Sequence, residues 1–232
     1  MIYNYFKNSA LILFFTLVSG FAYSATNQNS GIALGATRVI YPQDAKQTSL
    51  SVINHSPKER FLINSWVDNE NGKEKDFVIT PPLFVIEPAS ENILRIVNLA
   101  QDLPKDRESI FWLNVKAIPA VDKASLEGKN VLQLAILSRI KLFVRPVNLP
   151  IQTEDAADKI TITQKSGAIT IDNPTPYYTT FVNIILDGRP LDNVMVAPFS
   201  THQIAGKNGR KLTYQTINDY GGLRKLREVN LN

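Results

Sequence analysis

The chain has 232 residues, no cysteine, and a formal net charge of +4 from 25 basic and 21 acidic side chains. Without thiols, disulfide staples, thiol catalysis and cysteine metal sites are excluded, and stability has to come from buried apolar area, for which this length suffices as one large or two ordinary domains. The basic surplus is weak and its cations are scattered, which argues for solvated surface rather than a nucleic-acid groove.

At the N-terminus a lone cation, Lys7, precedes an apolar stretch over 10–18 and then the small and turn-prone residues Gly20, Ala22, Tyr23 and Ser24. That order predicts a secretory signal peptide over 1–24, removed after Ser24. Its apolar core is far shorter than the roughly 20 residues of a bilayer-spanning helix. No later segment is long and apolar enough to span a membrane, so a soluble exported protein is expected.

Short runs rich in Val, Ile, Leu, Phe and Tyr then alternate with turn residues, the pattern of an all-β protein. Strands are predicted over 32–41, 50–54, 61–67, 92–98, 109–118 and 131–144, with Asn71-Gly72 as a hairpin turn between the third of these and 77–79. The prolines of Arg145-Pro146-Val147-Asn148-Leu149-Pro150 interrupt the pattern and mark a stiff domain boundary. Beyond it, strands are predicted over 160–163, 168–172, 178–186, 194–197 and 212–217, with Asp187-Gly188 as a second hairpin signal. The expected architecture is two immunoglobulin-like β-sandwich domains, 25–148 and 149–232, with a cleft between them.

Few residues suggest chemistry. His55 and His202 are the only imidazoles and lie far apart in sequence, whereas a metal or catalytic site needs several converging donors. Ser138 and Lys141 spell S-x-x-K, but on a strand they point to opposite faces, and the companion motifs are absent. Glu87, Asp106, Glu108 and Asp219 have no spacing that favours a glycosidase pair over surface charges or structural ion pairs. No catalytic residue, metal, cofactor or small-molecule substrate is therefore expected.

Two cations and one apolar run stand out. Arg38 and Lys141 each interrupt an apolar strand, as an edge gatekeeper does. Should their strands meet at the cleft, the pair would make a focused positive site for a carboxylate. Leu132, Leu134 and Ile136 occupy alternate positions of 131–137, which fits either a central strand buried on both faces or an exposed apolar ridge for a partner that pairs with a sheet edge.

Five ordered segments carry a family resemblance: 35–41 (GATRVIY), 80–84 (TPPLF), 103–109 (LPKDRES), 140–146 (IKLFVRP) and 217–222 (INDYGG). Together they resemble the signature stretches of periplasmic pilus chaperones of the chaperone-usher pathway, those of type 1 pili above all. The resemblance implies two immunoglobulin-like domains in an L shape. It also implies a non-enzymatic function: binding and stabilising pilus subunits, the adhesin included, by donor-strand complementation and delivering them to an outer-membrane usher. Within it, Leu132, Leu134 and Ile136 match the donor strand, and Arg38 and Lys141 the anchor of the subunit's terminal carboxylate. Glu108, Arg145 and Asp219 match a buried interdomain ion network, and Thr80-Pro81 matches a cis position. The short 119–130 connection and the absence of cysteine match the short-loop subclass. An exposed ridge leaves self-association of the free protein open. The competing readings are a pilus subunit or adhesin, or a periplasmic hydrolase; a subunit would need an incomplete sandwich and usually an N-terminal donor segment.

Overall fold

Alternating burial along each strand divides the polypeptide into two sandwiches. A computed structural model describes residues 31–73, 75–120, 132–165 and 167–231. The expected signal peptide, the polar stretch after it and the 121–131 connection lie outside these residues.

The first sandwich is built from β1 (Ile32–Leu34), β2 (Arg38–Pro42), β3 (Thr48–Asn54), β4 (Phe61–Asn69), β5 (Gly72–Lys73), β6 (Phe77–Thr80), β7 (Leu83–Ile86), β8 (Glu91–Asn98), β9 (Ser109–Pro119) and β10 (Ile136–Arg145). One sheet has the order β1-β3-β8-β6, the other β2-β10-β9-β4-β5 with β7 also on β4. Successive side chains on a strand point to opposite faces. Thus Leu94 and Ile96 of β8, Ile63 and Val67 of β4, and Leu113 and Val115 of β9 enter one shared core.

The second sandwich contains β11 (Thr161–Lys165), β12 (Ala168–Asn173), β13 (Thr179–Leu186), β14 (Arg189–Pro190), β15 (Val194–Val196), β16 (Ser200–Ala205), β17 (Lys211–Thr216) and β18 (Arg227–Asn230). Its sheets are β11-β12-β16 and β14-β13-β17-β18, with β15 on β13. They close over a core that includes Ile169, Ile171, Phe181, Ile184 and Leu212. A short helix, α1 (Thr153–Lys159), precedes β11 with Glu154 and Asp155 in its first turn, Lys159 in its last, and Ala156 and Ala157 buried. That placement of charge suits the helix dipole.

Three sequence expectations need correction. The run 32–41 is two strands: β1 pairs antiparallel with β3, whereas β2 pairs parallel with β10 in the opposite sheet. The parity of the pattern explains the switch, because Ile32, Leu34 and Ala36 pack on the core at even positions but Val39 and Tyr41 do so at odd ones. The chain does turn after β4, but at Glu70-Asn71, because Gly72 already pairs with Asn69, and the returning strand is β5; residues 77–80 form β6 and pair with β8 in the other sheet. The strand predicted over 131–144 begins only at Ile136, opposite Ala117. Farther along, Pro119 has no N–H for a ladder, and Gln133 Nε2 donates instead to the Pro119 carbonyl at 2.7 Å.

Asp187-Gly188 does form a two-residue hairpin, Leu186 pairing with Arg189, and both turn residues have positive φ, 47° and 80°. That is the geometry whose twist matches the flanking strands.

Candidate functional site: the cleft between the sandwiches and the free edge of β10

The site grows from the two faces of β10. Its even positions Ile140, Leu142 and Val144 pack on the first core. Its odd positions therefore face the cleft, where Phe143 meets Tyr178 at 5.7 Å between ring centroids. Beside β10 lies β2, with Val39 and Tyr41 in the core and Arg38 on the cleft side, its guanidinium 5.8 Å from the Phe143 ring centroid. The parallel register pairs Lys141 with Arg38, Leu142 with Val39, and so on to Arg145 with Pro42.

One cation on this face is neutralised. Arg145 Nε donates to Glu108 Oε1 at 2.7 Å, while Nη1 and Nη2 donate to the two oxygens of Asp219 at 2.7 and 2.8 Å. Glu108 Oε2 also accepts from the Tyr178 backbone N–H at 2.8 Å. Burial works against ionisation of Arg145, but the two carboxylates overcome it and make the guanidinium more basic than usual. Burial raises the pKa of the enclosed Glu108, in part offset by Arg145 and the Tyr178 N–H. Burial also pushes Asp219 upward, yet its hydrogen bonds and charge contact with Arg145 hold it below the ordinary carboxylate range. Since Glu108 and Arg145 belong to the first sandwich and Asp219 and Tyr178 to the second, the network ties the two together. Further ties are the bond from Glu108 N to the Pro176 carbonyl at 2.9 Å and the Arg107 guanidinium over the Phe199 ring at 4.8 Å.

Neither Arg38 nor Lys141 is hydrogen-bonded to a carboxylate among the described residues, although Asp219 and Glu108 act on Arg38 through space. Arg38 Nε is buried with no hydrogen-bond acceptor among the described residues. Lys141 Nζ donates to the Thr180 hydroxyl at 3.3 Å and lies 6.0 Å from the Trp112 ring centroid. Burial lowers the pKa of both, and for Lys141 the neighbouring Arg38 lowers it further. Two adjacent, partly desolvated cations with no hydrogen-bonded carboxylate among the described residues leave this end of the cleft locally positive, a setting in which a carboxylate would match a guanidinium fork.

From this pair the chain of β10 runs back along an unpaired edge. Ile136 to Val144 pair with β9 on one side, but on the other side β2 begins only at the Arg38–Lys141 register. Residues from Ile136 to Ile140 thus have one open edge among the described residues. The even positions that are core residues farther along continue as Ile136, Leu134 and Leu132, which are 59%, 66% and 81% exposed. This exposure excludes a central strand buried on both faces. Only Ile136 of the three lies within β10; Leu132 and Leu134 precede it.

Sequence reasoning did not find Thr180, Tyr178 or the Pro176 carbonyl, which reach the site only through the packing of the second sandwich. Ser138 faces the core side and Lys141 the cleft side of β10, as their spacing on a strand requires. The Thr80-Pro81 peptide is cis.

Comparison with known proteins supplies the context for this geometry. Residues 31–150 match the family described as pili and flagellar-assembly chaperone, PapD N-terminal domain, and residues 155–228 match the pili assembly chaperone PapD, C-terminal domain. The chain is 52% identical over 225 residues to the probable fimbrial chaperone SfmC of Escherichia coli K12, covering 96% of each. To the chaperone protein FimC of the same strain it is 47% identical over 203 residues, 86% of this chain and 84% of that one. Among solved structures, the periplasmic chaperone SfaE superposes with a TM-score of 0.75 at 46% identity, covering 87% of this chain and 99% of that one. A chain from the Salmonella enterica complex of SafA pilin with the SafB chaperone gives a TM-score of 0.77 at 29% identity, covering 87% and 97%.

Proposed function

Because the chain belongs to the pilus-assembly chaperones, a family of non-enzymatic proteins, we propose that it binds fimbrial subunits in the periplasm by lending them Leu132, Leu134 and Ile136. The observation that carries this reading is the apolar ridge that leads into β10, a row of core-type side chains that runs past the end of its own sandwich into solvent. A subunit with an incomplete sandwich would receive from it the residues its own core lacks. The hydrophobic effect would favour the transfer, and backbone pairing along the open edge would add affinity that does not depend on client sequence.

Arg38 and Lys141 sit where that open edge ends. A client strand whose terminal carboxylate rests on them would run parallel to β10, in line with β2. The anchor then sets register, since a slip by one residue would turn Leu132, Leu134 and Ile136 to the wrong face. The Arg145 network holds the two domains at a fixed angle around that anchor. Removal of the signal peptide would leave the mature chain from Ala25, and an outer-membrane usher would receive the loaded complex. That the related SafB chaperone forms a complex with SafA pilin supports the subunit-binding part of this reading.

The test is co-expression, with export, of the chain and a fimbrial subunit lacking its N-terminal donor segment. A soluble complex of equal stoichiometry is expected, and the subunit alone should aggregate. Self-polymerisation of the purified chain, with no subunit retained, would favour the pilus-subunit reading instead.

A further inference from the structure

Lys141 does not stand alone with Arg38. Its Nζ donates to Thr180 Oγ1 at 3.3 Å across the domain boundary. Thr180 is buried, and its position on β13 is fixed from both sides. Its backbone carbonyl accepts from Ile217 N at 3.1 Å, it pairs with Met195 of β15, and its neighbour Phe181 is fully buried in the second core. A hydroxyl has one proton to give and two lone pairs to accept with. Lys141 uses a lone pair, and among the described residues the hydroxyl proton has no acceptor. The remaining ammonium protons of Lys141 and the buried Nε of Arg38 lack acceptors as well. Uncommitted donors are therefore contributed from both domains, and the carboxylates that act on Arg38 through space, Asp219 and Glu108, are already bonded to Arg145.

We propose that Thr180 is a third ligand of the carboxylate site, its hydroxyl accepting from Lys141 while donating to the bound carboxylate, so that the anchor is assembled from both domains. This rests on reading Arg38 and Lys141 as the anchor of a client's terminal carboxylate. It adds that the site is complete only when the second sandwich is docked. A carboxylate held by Arg38 and Lys141 on one side and Thr180 on the other bridges the boundary that Arg145 and Asp219 already clamp. By linkage, whatever binds only the docked arrangement stabilises it. The client tail thereby reports, through Thr180, whether the domains are correctly set.

The probe is a short synthetic peptide of alternating apolar and polar residues ending in a free carboxylate, compared with the same peptide amidated. Binding of both is measured by calorimetry to the wild type, Thr180→Val and Thr180→Ser. The wild type should prefer the acid. Thr180→Val should weaken acid binding by about 10-fold to 100-fold, as for loss of a hydrogen bond to a charged group, weaken amide binding much less, and so narrow the preference that Arg38 and Lys141 still maintain. Thr180→Ser, which keeps the hydroxyl, should restore it. If the wild type binds acid and amide equally, the anchor itself falls. If the wild type discriminates and Thr180→Val discriminates equally well, the anchor stands and the role of Thr180 falls. Should the valine variant fold poorly, Thr180→Ala carries the same comparison, because the ratio of acid to amide binding is measured within one preparation.

Discussion

Arg38 and Lys141 are direct register partners, the first pair of the parallel β2–β10 ladder. Like charges opposite each other on neighbouring strands repel, and Lys141 feels the repulsion in addition to the burial that lowers its pKa. Folding alone gains nothing from that arrangement. A ligand carrying negative charge relieves it.

Lys141→Met should therefore leave the free protein at least as stable as the wild type, because it removes a repulsive, half-buried charge and keeps the apolar stem. The same change should weaken a client that ends in a carboxylate by about 2 to 5 kcal/mol, as when one side of a desolvated charge contact is removed. Thermal melts and client-binding isotherms give the two numbers. A variant that melts well below the wild type would assign Lys141 a structural role.

Arg145→Ala should do the opposite. It strands the buried Glu108 and the partly buried Asp219, at a cost of about 3 to 5 kcal/mol, with a visible change in the X-ray scattering profile as the domain angle loosens. The effect should also depend on pH. Asp219 is held below its ordinary range by Arg145, so its stabilisation is present above the unfolded value of about 3.9 and lost as pH falls through the folded one. Glu108, raised by burial, has the reverse sign: its contribution is lost as pH rises through its folded value. Below about pH 4, where Asp219 dominates, the gap in melting temperature between wild type and variant should narrow. A gap that stays constant down to about pH 2 would detach Asp219 from the stabilisation.

Leu134→Glu separates the ridge from the core. Leu134 is mostly exposed, whereas Leu142, at an even position of the same segment, is fully buried. An exposed substitution away from special features shifts stability by about 0.5 kcal/mol or less, while a charge in the core unfolds the domain. Leu134→Glu should thus melt like the wild type and fail to hold a client; Leu142→Glu should not fold. Loss of folding in the first variant would mean that the ridge is covered by the protein's own chain.

Much of this was legible in the sequence for identifiable reasons. The apolar runs 92–98 and 109–118 were read as strands and do carry the core residues Leu94, Ile96, Leu113 and Val115, and a charge interrupting an apolar run singled out Arg38 and Lys141. What alternation cannot distinguish is a strand buried on two faces from an apolar segment that leaves its sandwich, so 131–144 reads as one strand although only 136–145 joins a ladder. Strand β16, Ser200–Ala205, was missed because its alternating polar residues carry no apolar signal. Thr180 was invisible for a different reason: nothing local to it points at Lys141, 39 positions away, and only the docking of the two domains brings them together.

The turn that delivers Asp219 yields the last prediction. Asn218 Oδ1 accepts from the backbone N–H groups of Tyr220 and Gly222 at 3.1 and 2.8 Å, and Gly221 N donates to the Asn218 carbonyl at 3.0 Å. Closing the turn this way leaves Gly221 at φ +83°, and a Cβ built there would overlap Thr37 Oγ1. Thr37 belongs to the other domain and immediately precedes Arg38, so the absence of a side chain at 221 lets the turn seat against the first sandwich while Asp219 grips Arg145. Gly221→Ala should incur two separable costs. The left-handed backbone costs about 1 to 3 kcal/mol wherever the turn sits, and the overlap with Thr37 pushes the turn, and Asp219 with it, away from Arg145. Thr37→Ala alone should be mild, because it deletes only a hydroxyl and a methyl, the hydroxyl oxygen being the atom that Gly221 makes room for. Combined with Gly221→Ala it should recover the second cost but not the first, giving a double variant more stable than the sum of the two single losses. Strict additivity of the melting free energies would show that the turn does not seat on Thr37, and that the domain angle is set by the Arg145 ion pairs without it.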